Sequence, residues 1–421
     1  MRKFALISLA ALAAAQTSAP PPMTGQAFPA MASYDRLIPA LMEKYGITGA
    51  SIAVSRQGRL VFARGYGYAD KEADQPVAPD ALFRLASISK PITAVTILKL
   101  VEEGKLDLDG RALDILSPLK PAAGVPVDPR FRQVTIRQLL WHAGGWDRDR
   151  TGGFDPMFRP AETARDMDSP APHSCETIIR WMLGKPLDFD PGTKSVYSNF
   201  GYCILGRVIE KVTGQPYEEY VRNHVLAPLG IERMRIGGSL ANERAAGEVK
   251  YYDFPGARLT ASIFPSAPGL VPNPYGAYDM RTLDSHGGWI ASAIDLTRFV
   301  NGVDGRGGRK PFLRAATVRQ MLARPAAPIA KAGDPTFYAF GWRVRPVGSK
   351  DANWWHAGSL PGTTTFVARI AQDGMCWAVL MNGRPRDSKT ISGEIDSTMQ
   401  KAFREVTAWP DHDLYGRFGS R

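Results

Sequence analysis

Apolar positions recur at helical spacing over residues 34–45, and the period then shortens. Residues 51–55 and 60–63 form two short apolar runs around Gln57-Gly58, the pattern of a β-hairpin. A helix pattern follows, opened by Ser87-Ile88-Ser89-Lys90 and anchored by Val95, Leu98, Leu100 and Val101. From Leu106 to Ser285 the chain reads as short helices divided by proline- and glycine-rich loops. They fall at 135–141, 175–183, 199–212 and 217–226, the last behind Pro216 at a helix start. Few strand-like runs occur in this interval. Beyond it come helices at 293–300 and 314–322, strand patterns at 338–344, 363–370 and 375–381, and a final helix at 391–406.

Strands and helices at both ends of the chain around a helical middle predict an α/β (α+β) fold, with an antiparallel β-sheet flanked by helices. Residues 33–104 and 286–406 are expected to build that sheet domain. Residues 105–285 are expected to form an inserted, mostly helical domain, with 407–421 as a C-terminal tail. The Ser87 helix falls at the junction, where pockets concentrate. No internal repeat interrupts this plan.

The first residues alter the expected location. Met1-Arg2-Lys3, an apolar run over 4–15 and the triplet Ala13-Ala14-Ala15 read as a secretory signal peptide. The protein is therefore expected to be exported, periplasmic or secreted, with residues 16–32 as a flexible lead-in. No segment is long and apolar enough to be a transmembrane span. The net charge of +11 is dispersed among acids, and its densest stretch, residues 306–310, lies in a glycine-rich loop. That argues against a nucleic-acid groove. Cys175, Cys203 and Cys376 are too few and too scattered for a disulfide framework or a zinc site. One bridge or buried free thiols both fit them. No metal or organic cofactor is expected, and the sequence does not set an oligomeric state.

Ser87 and Lys90 stand at i and i+3, on one face of the helix, where a hydroxyl nucleophile and an amine base can meet. The bland alternative makes Ser87 or Ser89 a helix cap and leaves Lys90 in solvent. A second Ser-x-x-Lys, Ser117 to Lys120, contains Pro118 and opens no helix. Tyr197 and Asn199 lie on a loop entering a helix. A phenol there can exchange a proton if Lys90 lowers its pKa; alternatively Asn199 caps the helix and Tyr197 is aromatic filling. His-x-Gly occurs three times. His142 ends a helix and His286 leads into another, so both read as packed or loop histidines. Only His356, with Gly358 and Ser359, falls between strand patterns, where backbone N–H groups at a strand edge can form an oxyanion pocket.

These three pieces, in this order, resemble the serine β-lactamase and penicillin-binding-protein superfamily. The closer resemblance is to its class C branch, which includes class C β-lactamases, family VIII carboxylesterases, D-aminopeptidases and D-alanyl-D-alanine carboxypeptidases. It runs from about Tyr34 to Val406, and the strings Thr135 to His142 and Gly287 to Leu296 look like two further signatures of that branch. The resemblance implies a β-lactamase/transpeptidase-like fold and an acyl-enzyme on Ser87. Lys90 would help take the serine proton and Tyr197 would complete the acid/base pair. Asn199 would bind substrate and orient Lys90, and the backbone N–H groups of Ser87 and Ser359 would form the oxyanion hole. The sequence departs at His356, where β-lactamases commonly carry the lysine of Lys-Thr-Gly. Histidine is largely neutral near pH 7, so small ester, amide or peptide substrates are favoured over penicillins. A β-lactamase or carboxypeptidase is the alternative, and a penicillin-binding sensor without turnover a further one.

Overall fold

The computed structural model describes residues 21–149, 153–305, 310–349 and 351–418. The expected signal peptide lies outside them. Nine strands form one antiparallel sheet. Across it the order is Met23–Thr24, Arg59–Asp70, Gly49–Arg56, Met375–Met381, Thr363–Ile370, Asp351–Leu360, Arg343–Val347 and Phe337–Tyr338, with Gln75–Pro76 also paired to Arg59–Asp70. The two ends of the chain meet where Gly49–Arg56 pairs with Met375–Met381, Val54 opposite Trp377.

The central strand Met375–Met381 is apolar along its whole length because both its faces are covered. In Met375–Met381 the odd residues Met375, Trp377, Val379 and Met381 pack with Tyr34, Ile38, Ile395 and Phe403. These come from the helices Ala32–Tyr45 and Ile391–Arg404 on the outer face. The even residues Cys376, Ala378 and Leu380 point the other way, into a core shared with Ile92, Leu98 and the helical segments between the two halves of the sheet. The helix Ser89–Glu102 runs through that inner core, with Leu98 and Leu100 fully buried. A helix apolar on every side belongs at such a centre.

Several expectations require correction. Residues 23–31 are not a loose lead-in: Met23 pairs with Tyr66, Pro22 accepts a backbone bond from Gly67, and Met31 is buried. The expected helix over 217–226 is regular only over Tyr217–Val221 and widens to a π-turn at Arg222–Leu226. Residues around His356 are not a connection between strands but the strand Asp351–Leu360 itself, paired on one edge with Thr363–Ile370 over seven residues. Its apolar alternation is too weak to read as a strand, because two of its buried positions, between Trp354 and Leu360, are His356 and Gly358. Cys175 and Cys203 form a disulfide joining the helices Cys175–Leu183 and Asn199–Thr213, and Cys376 is a buried free thiol. No described helix is long and apolar enough to cross a membrane.

Candidate active site

The chain turns sharply just before Ser87. The short strand Phe83–Arg84 pairs with Trp289–Ala291, and a 3-10 turn over Ala86–Ile88 leads into the helix Ser89–Glu102. Ala86 is buried with φ +49°, a left-handed conformation that costs a residue with a Cβ about 1–2 kcal/mol. That turn puts Ser87 at the wall of a cavity of about 850 Å³. Neither Ser87 nor Ser89 caps the helix, and the Ser89 hydroxyl instead accepts from the Trp289 N–H at 3.3 Å. The helix-cap alternative therefore fails, and so does a solvated Lys90, which is 0% exposed.

Lys90 Nζ lies 3.3 Å from Ser87 Oγ, 2.7 Å from Asn199 Oδ1 and 2.8 Å from the His286 carbonyl oxygen. Burial holds its pKa well below the ordinary lysine range, and the nearby Arg148 charge acts in the same direction against the opposing pull of Asp155. Asn199 does not cap its helix. Ser198 does so, accepting from the Gly201 N–H at 3.1 Å, which frees the Asn199 amide for the cleft. The Tyr197 ring lies under Lys90, whose nitrogen is 4.7 Å from the ring centroid. Contrary to the expectation of a lowered phenol pKa, burial raises that of Tyr197 and keeps the hydroxyl protonated. The Tyr197 hydroxyl closes no hydrogen bond, although Ser87 is the neighbour that most favours its ionised form.

The three His-x-Gly copies have separate fates. His142 is packed, its ring 4.5 Å from those of Tyr197 and Tyr338, and its Nδ1 accepts from the Ser198 N–H at 3.1 Å. It thus holds the Tyr197 loop from behind. His286 leads into the strand Trp289–Ala291 rather than a helix, and its carbonyl, not its ring, meets Lys90. His356 lines the cavity with Ser87 and Ser359. Its Nδ1 donates to the Ala357 carbonyl at 2.7 Å, so its Nε2 accepts from the Tyr338 hydroxyl at 2.9 Å. Burial and the Lys90 charge push the His356 pKa down to about 3, which leaves the ring neutral at pH 7.

Gly358 is explained by a close approach. A Cβ there would lie 2.2 Å from Thr365 Oγ1 and 2.3 Å from the Leu85 carbonyl oxygen, two atoms already hydrogen-bonded at 2.9 Å. The glycine lets the Ser87 turn rest directly on the strand. Gly358→Ala is expected to lower stability by about 1–3 kcal/mol through overpacking and to slow turnover by lifting that turn. A denaturation midpoint and a rate both at wild-type values would refute this account.

Residues without a motif complete the wall. Asp155 accepts from Asn199 Nδ2 at 2.7 Å, and Tyr338, Arg148 and Arg343 line the same cavity. The length and glycine content of the loop carrying Asp155 were the only sequence signals for it. A second cavity of about 490 Å³ adjoins the first and shares Arg148, Asp155, Tyr197 and Asn199, but Ser87 does not line it. The second Ser-x-x-Lys is a surface turn, with Ser117 and Lys120 exposed. Among the described residues no group of three His, Cys, Asp or Glu side chains is placed to hold a metal. A buried amine of lowered pKa beside a hydroxyl, a protonated phenol and a strand edge form a set suited to acyl transfer.

Known proteins give the same picture. The chain is 34% identical to esterase EstB of Burkholderia gladioli over 227 residues, 53% of this chain and 55% of that protein. The match thus spans about half the length of that relative. D-amino acid amidase from Ochrobactrum anthropi SV3, solved with D-phenylalanine, superimposes with a TM-score of 0.66 at 22% identity, covering 88% of this chain and 98% of that one. EstCE1, described as a hydrolase with promiscuous acyltransferase activity, also gives 0.66, at 21% identity over 89% and 99% of the two chains. At these identities the two solved structures bear on the fold. The family model described as Beta-lactamase matches residues 34–396, most of the chain, and this protein therefore belongs to the beta-lactamase family.

Proposed function

We propose that this protein is an exported serine hydrolase that cleaves small ester, amide or peptide substrates through an acyl-enzyme on Ser87. The observation that carries this reading is Lys90: completely buried, surrounded by oxygen atoms, and 3.3 Å from the Ser87 hydroxyl. A lysine whose pKa is lowered by burial gives up its proton more readily than one in water, which fits it to act as a base.

Lys90 accepts the Ser87 proton as Oγ forms a bond to the substrate carbonyl carbon. The backbone N–H groups of Ser87 and Ser359 hold the oxyanion. The bond to the leaving group then breaks, and the leaving atom takes a proton from the Lys90–Tyr197 pair, with the protonated Tyr197 phenol as donor. Water repeats the sequence in reverse on the acyl-enzyme, giving the acid and restoring Ser87. Asn199 orients Lys90 throughout.

The neutral His356 supports this substrate class. A carboxylate of a penicillin would find a hydrogen-bonding ring at that position rather than a fixed positive charge. Similarity to a protein named as an esterase points the same way. Purified protein lacking residues 1–15 should turn over short nitrophenyl esters faster than nitrocefin, with D-alanyl peptides ranked between them. Faster nitrocefin hydrolysis would replace this reading with a β-lactamase. Export is supported by the signal-like residues 1–15 and is tested by fractionating cells that express the full chain.

A further inference from the structure

Asp155 belongs to no motif, yet it is placed behind the reacting groups. It is 8% exposed, and its Oδ1 accepts from the Met157 N–H at 3.2 Å. Its Oδ2 accepts from Asn199 Nδ2 at 2.7 Å, with Arg148 Nη1 3.8 Å away. An ionised carboxylate only accepts hydrogen bonds. The Asn199 amide is therefore oriented without ambiguity: its NH₂ faces Asp155, and its oxygen faces Lys90.

That orientation matters because of the valence of a neutral amine. Such a nitrogen has two N–H donors and one lone pair. Asn199 Oδ1 at 2.7 Å and the His286 carbonyl at 2.8 Å take the two hydrogens. The remaining neighbour is Ser87 Oγ at 3.3 Å, so the lone pair is left for the serine proton. A reversed Asn199 amide would aim an N–H at the Lys90 nitrogen. The lone pair would accept that hydrogen instead, and Ser87 would lose its base.

We propose that Asp155 is a positioning residue: acting through Asn199, it directs the Lys90 lone pair at Ser87. This rests on the hydrolase reading above and deepens it. The rival role is mechanical, since Asp155 also caps the short turn Pro156–Phe158 and ties its loop to the helix Asn199–Thr213.

The two roles separate in a mutant cycle. Asp155→Asn, Asp155→Ala, Asn199→Ala and the double alanine variant are made in the full chain. Each is assayed for kcat and KM on a nitrophenyl ester and for the rate at which a fluorophosphonate labels Ser87, across pH. Asp155→Asn keeps the shape but lets the Asn199 amide turn. It is expected to lower kcat about 10- to 100-fold with KM changed less than about 3-fold, the signature of an interaction used in the transition state. The double variant should be no slower than Asn199→Ala alone, because Asp155 has nothing left to act through.

The acid limb of the rate profile should also move to lower pH in Asp155→Asn. The charged and titratable groups around Lys90 are Asp155, Arg148, Tyr197, Tyr202, His142, His286 and His356. Of the two charges that set its pKa most, Asp155 favours the ammonium and Arg148 opposes it, so losing the carboxylate lowers the pKa. Either role moves that limb, because the charge is lost in both, so the roles are separated by kcat on the plateau above it. The proposal is overturned if Asp155→Asn keeps a kcat within about 2-fold of wild type, or if the two alanine losses multiply. Should Asp155→Ala fail to fold, the isosteric Asp155→Asn decides alone: a positioning role lowers the plateau kcat with KM and thermal midpoint kept, whereas a lost tether moves KM and the thermal midpoint as well. Absence of labelling at Ser87 in the wild-type protein would instead sink the hydrolase reading itself, and this proposal with it.

Discussion

Ser87→Ala should reduce ester turnover by about 10³- to 10⁶-fold, since removing a nucleophile disables the groups that act with it. It should also abolish covalent labelling by a fluorophosphonate. The fold should survive, because the Ser87 hydroxyl caps no helix and its described hydrogen bond is the 3.3 Å contact with Lys90. A thermal midpoint near wild type, combined with lost activity, is the expected pair of results. Hydrolysis that persists unchanged in this variant would place the chemistry elsewhere.

Lys90 should be nearly as costly to change, and for a reason its shape does not reveal. Lys90→Arg keeps a positive charge and hydrogen-bond donors but cannot release a proton near neutral pH. If Lys90 acted only as a fixed charge, arginine would preserve much of the rate. As a base it is irreplaceable, so both Lys90→Arg and Lys90→Met should lose about 10²- to 10⁴-fold in kcat/KM, the range for a general base. The pH dependence follows with a definite sign. Activity requires the neutral amine, so kcat/KM rises with pH as Lys90 deprotonates. Because burial lowers that pKa well below the ordinary lysine range, the rise should be complete far below pH 10. A limb at the pKa of a solvated lysine would contradict the buried geometry.

Burial in the cleft also accounts for where sequence reading stopped short. Tyr197 was expected to ionise more easily beside Lys90, but both groups are buried. Losing water raises the pKa of a phenol and lowers that of an amine, so the same desolvation suits Lys90 to the proposed role of base and Tyr197 to that of acid. His142 and His286 share the His-x-Gly pattern with His356 and read as packed or loop residues. One packs against Tyr197 with its ring tilted, and the other meets Lys90 through its carbonyl. The length and glycines of its loop pointed to the region but not to Asp155 itself, which lies 44 residues from Asn199 with no periodic pattern around it.

The sequence by itself determined the alternation of strands and helices at both ends, the helical middle, and the identity of Ser87, Lys90, Tyr197 and His356 as the groups to examine. These are local properties: hydrophobic period, helix spacing, and motifs a few residues long. Tertiary structure alone decided that residues 23–31 join the sheet, that His356 sits within a strand, that Cys175 pairs with Cys203, and which way each proton-bearing group titrates. Those outcomes depend on contacts between distant segments and on how completely water is excluded from them. Lys90 shows the division most clearly: three residues after Ser87 in the chain, it is shut off from water only when Asn199 and His286 close around it.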